Sequence, residues 1–456
     1  MEAETALRKK KKNLISKLSV TQLILFSFST VILIGTLLLC MPFSSASGEW
    51  TGFLTALFTA TSATCVTGLT VVTTATYFST AGQILILCLI QVGGLGIMTI
   101  ISVFSVMFTR TVSIRTRNIA MQATGAINYN EIKSLLLRIF IGTILMELIG
   151  AAVLSIRFVP MYGVNEGLKQ SVFTSVSAFC NAGFDIFGTT SLIGFNEDPL
   201  VMLTVAGLVI LGGIGYIVWF DFTRHRFKLK RYSLHSKIAL SFSGVLLLAG
   251  TGLFLFTEYN AAFAPFGFPE KVLNAFFQSV TMRTAGFCGV DQATLSDKGV
   301  LSAFFFMIIG GTSGSTAGGL KTTTFAVLVF TFISNLKNDE NVVAFKRRIP
   351  PSIVKASFAI ITSYVAMLFV STIVILSIES GAPNVNLQNV VFEEISAIAT
   401  VGLTRGITAD LAIASKLIII LLMFVGRVGG FTFMLAFSNP KARKPTMRPK
   451  ENILIG

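Results

Sequence analysis

A chain of 456 residues that is 53% hydrophobic and only 12% charged, with a mean hydropathy of +0.77, has too little polar surface for a soluble domain and reads as an integral membrane protein. The net charge of +15 would suit nucleic acid, but the basic residues gather in alternate loops, which is the pattern of membrane topology. Cys40, Cys65, Cys88, Cys180 and Cys288 are scattered singly, and His225 and His235 have no thiol or carboxylate at ligand spacing; neither a disulfide framework nor a metal centre is expected.

Apolar runs at 21–42, 80–109, 135–156, 200–220, 238–256, 299–333, 353–378 and 415–437 are each long enough to cross a hydrocarbon layer of about 30 Å, giving eight expected spans. Between them lie apolar stretches at 51–63, 169–179, 271–281 and 388–399, at roughly half the spanning length, which read as re-entrant segments. Each short stretch runs into a polar turn with glycine at a fixed place: Val66-Thr67-Gly68, Asn181-Ala182-Gly183, Thr284-Ala285-Gly286 and Thr400-Val401-Gly402. A second glycine cluster follows after about 24 to 29 residues, beginning at Gly93, Gly212, Gly310 and Gly426. Two signals that recur in every quarter indicate an internal repeat. The expected fold is an all-α integral membrane protein of four tandem helix, pore-loop, helix repeats, with eight spanning helices and four re-entrant pore helices around a pseudo-fourfold pore.

The expected organisation is a basic cytoplasmic N-terminus (1–19), repeat 1 (20–109), a linker (110–134), repeat 2 (135–223), a linker (224–235), repeat 3 (236–333), a linker (334–352), repeat 4 (353–437) and a tail (438–456). The basic loops place the linkers and both termini in the cytoplasm. Membrane lipid is one expected partner of these loops; nucleic acid is not. No linker has the strand-helix alternation of a nucleotide-binding domain, so no cofactor is expected in this chain. No nucleophile-base pair emerges, and an enzyme is not expected.

Irregular backbone at membrane depth is tolerated only where protein buries it or where it lines a wet cavity. Four such turns about one axis would assemble their carbonyls into a ring able to replace the hydration shell of a cation, with glycine keeping any Cβ out of the path. One turn alone would be an ordinary connection between short helices. The twelve residues of the four triplets are therefore the candidate selectivity filter.

The sixth apolar run carries Gly310, Gly311, Thr312, Ser313, Gly314, Ser315, Thr316, Ala317, Gly318, Gly319, Leu320 and Lys321, followed by three threonines. Such a stretch should not remain helical, and 310–324 is expected to be an intramembrane loop beneath the third turn, a candidate gate. The alternative is a passive linker that shapes a cavity. A phosphate-binding loop is excluded, because Leu320 separates Gly319 from Lys321 and no strand precedes it. Arg427, inside the eighth run, needs carbonyls, a carboxylate or water. The open carbonyls of the loop are its expected partners, so Arg427 joins the candidate gate. Glu147, in the third run, is expected to pair with Lys321 or Arg427, or to support packing. Arg283 and Arg405 flank the third and fourth turns, with Glu393 or Glu394 as expected partners.

The fragments Ser62-Ala63-Thr64-Cys65-Val66-Thr67-Gly68-Leu69-Thr70, Cys180-Asn181-Ala182-Gly183-Phe184-Asp185, Met282-Arg283-Thr284-Ala285-Gly286-Phe287 and Ala399-Thr400-Val401-Gly402-Leu403-Thr404-Arg405-Gly406 resemble the four filter sequences of the Ktr and Trk potassium-translocating subunits, relatives of the plant high-affinity potassium transporters. The resemblance covers nearly the whole chain and is closest to the Ktr membrane subunit. It implies potassium as the transported ion, because Gly68 stands where sodium-preferring plant relatives have serine, and sodium as a candidate activator. It further implies a gating role for Arg427, a homodimer with the C-terminal tail at its interface, and a bacterial plasma-membrane location. The implied partner is a cytoplasmic RCK-type nucleotide-binding ring that holds ATP, ADP or cyclic di-AMP. An alternating-access carrier coupling potassium to a proton or sodium is the alternative; carriers usually place ionisable groups at the binding site, and these turns offer almost none.

Overall fold

The computed structural model describes residues 19–96 and 132–437. The basic N-terminus, most of the 110–134 linker, the end of the 80–109 run and the 438–456 tail lie outside the described residues.

The same order of helices recurs four times. A long helix opens each quarter: α1 (Val20–Cys40), α4 (Ile132–Tyr162), α8 (Leu234–Glu258) and α12 (Pro351–Ile378). Among the described residues these four are long and apolar enough to cross a membrane singly. Their apolar side chains are not all turned inward: Leu37, Leu148, Leu248 and Phe369 are exposed, as expected of surfaces solvated by lipid.

A short helix follows: α2 (Phe53–Cys65), α5 (Val164–Phe179), α9 (Phe268–Thr281) and α13 (Leu387–Ile398). Their starts are written locally. Gly52, Gly163 and Gly267 precede the first three, and the Asn386 side chain caps the fourth by accepting from Asn389 N. Glu166 and Glu270 sit in the first turns of α5 and α9, where negative charge complements the helix dipole. The C-terminal halves of all four are buried.

The third element is α3 (Thr80–Leu95), α6 (Pro199–Gly213), α10 (Asp297–Ile308) and α14 (Ile413–Val428). Here the structure departs from the sequence reading, which broke only the sixth run. These helices have 12 to 16 residues, or roughly 18–24 Å, short of a membrane span of about 30 Å. The runs 80–109, 200–220 and 415–437 are thus not single helices. The first ends at Gly96 (φ 81°), the second breaks at Gly215 (φ 93°) and the third at Gly429 (φ 93°). After these breaks the second quarter continues as α7 (Tyr216–His225), bent by 91° from α6, and the fourth as α15 (Gly430–Phe437). In the third quarter a loop at 309–321 separates α10 from α11 (Thr322–Leu336). Thr322, Thr323 and Thr324, expected in the loop, instead form the first turn of α11.

In the first, second and fourth quarters the glycine cluster marks where the third element lies on its own short helix. A Cβ at Gly93 would sit 2.0 Å from Thr64 O, one at Gly212 1.9 Å from Phe179 O, and one at Gly426 2.0 Å from Ile398 O. No side chain fits there, so the helices touch backbone to backbone. Beyond α11 a two-stranded ribbon, β1 (Val343–Ala344) and β2 (Arg347–Arg348), pairs Val343 with Arg348 and Ala344 with Arg347 and buries Ala344 and Ile349 against Ile238, Ala326 and Val327.

Gly426→Ala should therefore cost about 1–3 kcal/mol through overpacking and lower the Tm of the purified chain in detergent. Gly244→Ala, where a Cβ meets nothing within 4 Å, should leave the Tm unchanged or raise it. Equal Tm values for the two variants would show that the glycine contact has been misread.

Candidate functional site

Each short helix ends in a turn of the same handedness. Val66, Asn181, Thr284 and Thr400 all adopt left-handed backbone, with φ of 58°, 59°, 65° and 53°. For a β-branched residue this conformation is costly, about 1–3 kcal/mol, and persists only where the surroundings enforce it. The glycines two residues later are also at positive φ: 95° at Gly68, 69° at Gly183, 79° at Gly286 and 93° at Gly402.

The enforcement comes from the short helices. Thr67 N, Ala182 N and Val401 N each donate to the carbonyl five residues earlier, Ser62 O, Ser177 O and Ser396 O, at 2.8 Å. The third turn deviates, with Ala285 N donating to Thr281 O at 3.0 Å. Hydroxyls complete the set. Gly68 N and Gly402 N donate to the Ser62 and Ser396 hydroxyls at 3.1 and 3.0 Å. The Ser177 and Thr281 hydroxyls donate to Phe184 O and Phe287 O at 2.6 and 2.7 Å. These four residues were missed in the sequence. The serine six positions before the glycine in three of the quarters was the available signal. Behind each glycine a large apolar side chain, Leu69, Phe184, Phe287 or Leu403, is buried at 1% exposure or less and anchors the turn.

The four turns meet. A Cβ on Gly68 would lie 2.5 Å from Ala182 O, one on Gly183 2.9 Å from Ala285 O, one on Gly286 2.4 Å from Val401 O, and one on Gly402 2.1 Å from Thr67 O. The contacts run from first turn to second, third, fourth and back to the first, a closed cycle in chain order. All four glycines also line one cavity of about 710 Å³, whose walls include Asp185, Asp291 and Arg405. Burial pushes the Asp185 carboxyl up to about 6, against the pull of hydrogen bonds from the Ser191 hydroxyl and Phe187 N–H. The short helices end at the ring, so their C-termini direct about half a negative charge each toward it. The buried hydroxyls of Thr64, Thr67, Thr284 and Thr400 have no hydrogen-bond partner among the described residues. Carbonyls, hydroxyls and helix dipoles together can stabilise a cation stripped of water.

On the other side of the ring lies the 309–321 loop. Its ends are closed by a bridge between Ile309 and Leu320 and by Gly310 N donating to Leu320 O at 2.8 Å. It crosses to the second quarter: Thr312 N donates to Gly213 O at 3.0 Å, while Tyr216 N donates to Gly314 O at 2.8 Å. The Thr316 hydroxyl contacts Phe179 O at 3.1 Å and Asn181 Oδ1 at 3.0 Å. It also reaches the fourth quarter, since a Cβ on Gly318 would lie 2.0 Å from Thr400 Oγ1 and one on Gly319 2.8 Å from Ala399 O. Lys321 Nζ donates back to Ala317 O at 2.5 Å and Gly318 O at 3.3 Å. Arg427 donates through Nη1 to Thr316 O and through Nη2 to Gly93 O and, at 3.1 Å, Gly94 O. The loop, with this guanidinium, thus touches all four quarters.

Three expected pairings are absent. Glu147 accepts from Gln91 Nε2 at 3.2 Å and the Cys180 thiol at 3.8 Å, not from Lys321 or Arg427, both of which are engaged by loop carbonyls. Arg283 donates to the Ser243 and Thr322 hydroxyls at 3.2 and 3.1 Å rather than to a glutamate. Arg405 uses its side chain on Asn389 Oδ1 at 2.8 Å and Gln292 O at 3.0 Å, and only its backbone N–H reaches Glu393, at 3.2 Å. The buried Glu393 is held by the Thr404 and Thr408 hydroxyls, and Glu394 by the Thr372 hydroxyl. Neutral hydroxyls, not arginine side chains, are thus the side-chain partners of these two carboxylates.

Apolar helices of spanning length and a ring of backbone carbonyls beneath a wide cavity define a transport protein rather than an enzyme. A family model described as TrkH, cation transport protein, matches residues 3–444, and the chain belongs to this family of multi-pass membrane transporters. It is 41% identical to the potassium/sodium uptake protein NtpJ of Enterococcus hirae, over 98% of this chain and 99% of that one. It is 40% identical to the Ktr system potassium uptake protein B of Vibrio alginolyticus, over 95% of this chain and 94% of that one. The solved structure of the potassium transporter TrkH from Vibrio parahaemolyticus superposes with a TM-score of 0.70 over 92% of this chain and 85% of that one, a likeness of fold at 18% identity.

Glu393→Leu should leave the Thr408 hydroxyl and Arg405 N–H without their acceptor and destabilise the chain by about 2–4 kcal/mol. Glu393→Gln, which keeps one acceptor oxygen, should lose less. Thermal unfolding in detergent ranks the two, and the reverse order would contradict the assignment of Glu393 as a buried acceptor.

Proposed function

We propose that this chain is the potassium-translocating membrane subunit of a Ktr-type uptake system. The four turns, Val66-Thr67-Gly68, Asn181-Ala182-Gly183, Thr284-Ala285-Gly286 and Thr400-Val401-Gly402, are its selectivity filter. The closed cycle of glycine-to-carbonyl approaches at the floor of the cavity carries this reading. Potassium loses its hydration shell at the mouth of the ring and exchanges water for backbone oxygen. The names of the two relatives, a potassium/sodium and a potassium uptake protein, support the choice of ion, with sodium as a candidate activator.

In this reading each quarter contributes two spans, the second interrupted at its glycine cluster, and the quarters surround a pseudo-fourfold pore, within the repeat and linker boundaries given above. The 710 Å³ cavity faces outward, and both termini and the basic linkers face the cytoplasm. The loop carrying Gly310 to Lys321 is the gate and Arg427 its latch. Thr316 belongs to the third quarter and Gly93 to the first, and one guanidinium holds both. The subunit works as a homodimer under a cytoplasmic RCK-type nucleotide-binding ring. The carrier alternative is weakened by the geometry, because Glu393 and Glu394 are already engaged by threonine hydroxyls and Asp185 and Asp291 belong to the wall of the wide cavity.

Rubidium-86 uptake into proteoliposomes tests both parts. Gly68→Ser forces a side chain against Ala182 O and should reduce the preference for potassium over sodium in competing with rubidium by roughly tenfold or more, about 1.4 kcal/mol. Unchanged competition would remove Gly68 from the filter. Arg427→Gln removes the latch and should raise uptake several-fold in the absence of any regulatory chain. Uptake equal to the unsubstituted protein, at equal reconstitution, would overturn the gate assignment.

A further inference from the structure

Arg283 has no part in the ring or the latch. It precedes Thr284 in the third turn, and its side chain turns away to lie beside α8 and the start of α11, where Nη2 reaches the hydroxyls of Ser243 and Thr322. The residue is 8% exposed, and among the described residues it makes no ion pair. Its Nε–H has no acceptor among them. Asn181, 1% exposed, has an equally unpartnered Nδ2 amide, its Oδ1 being taken by Thr316. Arg283 and Asn181 line the same small cavity, closed in by Val209, Ile210, Leu247 and Gly311, with a volume of about 20 Å³. That is room for about one water-sized particle.

Both unsatisfied groups are donors, and one belongs to a buried cation. A buried charge requires a countercharge or a full set of hydrogen bonds. Two neutral hydroxyls and an open Nε–H supply neither. A water molecule could accept from both donors, but for its own two hydrogens the lining side chains offer only the Ser243 hydroxyl, already an acceptor for Arg283 Nη2, and Asn181 Oδ1, already taken by Thr316. A monatomic anion accepts from both and has nothing left to satisfy.

We propose that this cavity binds a single halide ion, chloride under ordinary conditions, between Arg283 Nε and Asn181 Nδ2. The site ties the moving parts together. Asn181 belongs to the second turn and receives the Thr316 hydroxyl of the loop. Arg283 belongs to the third turn and donates to the Thr322 hydroxyl, which itself donates to Gly310 O at 2.6 Å. An anion shared by Arg283 and Asn181 braces two turns of the ring and both ends of the loop, and neutralises a cation one residue from Thr284 on a path that attracts cations.

The test uses the full chain purified in detergent. Crystals grown with bromide in place of chloride should show an anomalous bromine peak in the cavity. At constant ionic strength, the Tm should be higher in chloride or bromide than in gluconate by several degrees. Arg283→Gln should abolish this difference; Arg283→Lys, which keeps the charge without the Nε–H, should reduce it and serves if the first variant does not fold. A cavity without the bromine peak, or a wild-type Tm identical in the three anions, overturns the proposal whatever the variants do. Neither readout involves cation uptake, so its failure leaves the pore reading untouched.

Discussion

The structure depends on one steric constraint: four glycine residues from distant parts of the chain come so close that none of them could carry a Cβ. Each approach is to the carbonyl of the neighbouring turn, so the same closeness that forbids side chains brings backbone oxygen to the centre. Ordinary packing would fill such a space with apolar side chains. Here the apolar side chains, Leu69, Phe184, Phe287 and Leu403, are one residue further on and buried behind the ring. The left-handed backbone at Val66, Asn181, Thr284 and Thr400 is strain held in place by this packing and by hydroxyls of the short helices.

The same logic governs the other half of the first, second and fourth quarters. The third helices are bare of side chains where they rest on the last carbonyls of the short helices, at Gly93, Gly212 and Gly426, and they end or break within three residues of that contact in each case. Backbone freed by the breaks needs partners that lipid cannot provide. Part of it is supplied by the 309–321 loop, whose Thr312 and Thr316 bond to the end of α6, and part by Arg427, which takes carbonyls from two quarters. A cation inside an apolar helix thus offsets the exposed acceptors of broken ones.

Much of this arrangement was legible in the sequence because it is written in glycine. The turn triplets, their repetition and the short apolar stretches before them located the ring, and the five glycines between 310 and 319 located the loop. The breaks at Gly96, Gly215 and Gly429 were not read, although each lies in a cluster of three glycines, because glycine is frequent in membrane helices and hydropathy does not register a change of direction. The partners of Arg283, Arg405 and Glu147 were also missed. Charge suggested ion pairs, whereas in the fold Glu393 and Glu394 accept from threonine hydroxyls, Arg405 donates to an amide oxygen and a carbonyl, and Arg283 donates to two hydroxyls. Which hydroxyl reaches which carboxylate depends on packing between helices far apart in sequence, and no local pattern encodes it.

The most direct test of the ring is crystallographic. Crystals of the chain soaked in rubidium, measured across the rubidium absorption edge, should show an anomalous peak enclosed by the carbonyl oxygens of Thr67, Ala182, Ala285 and Val401. Rubidium density confined to other places, with those four oxygens turned away from any shared centre, would contradict it.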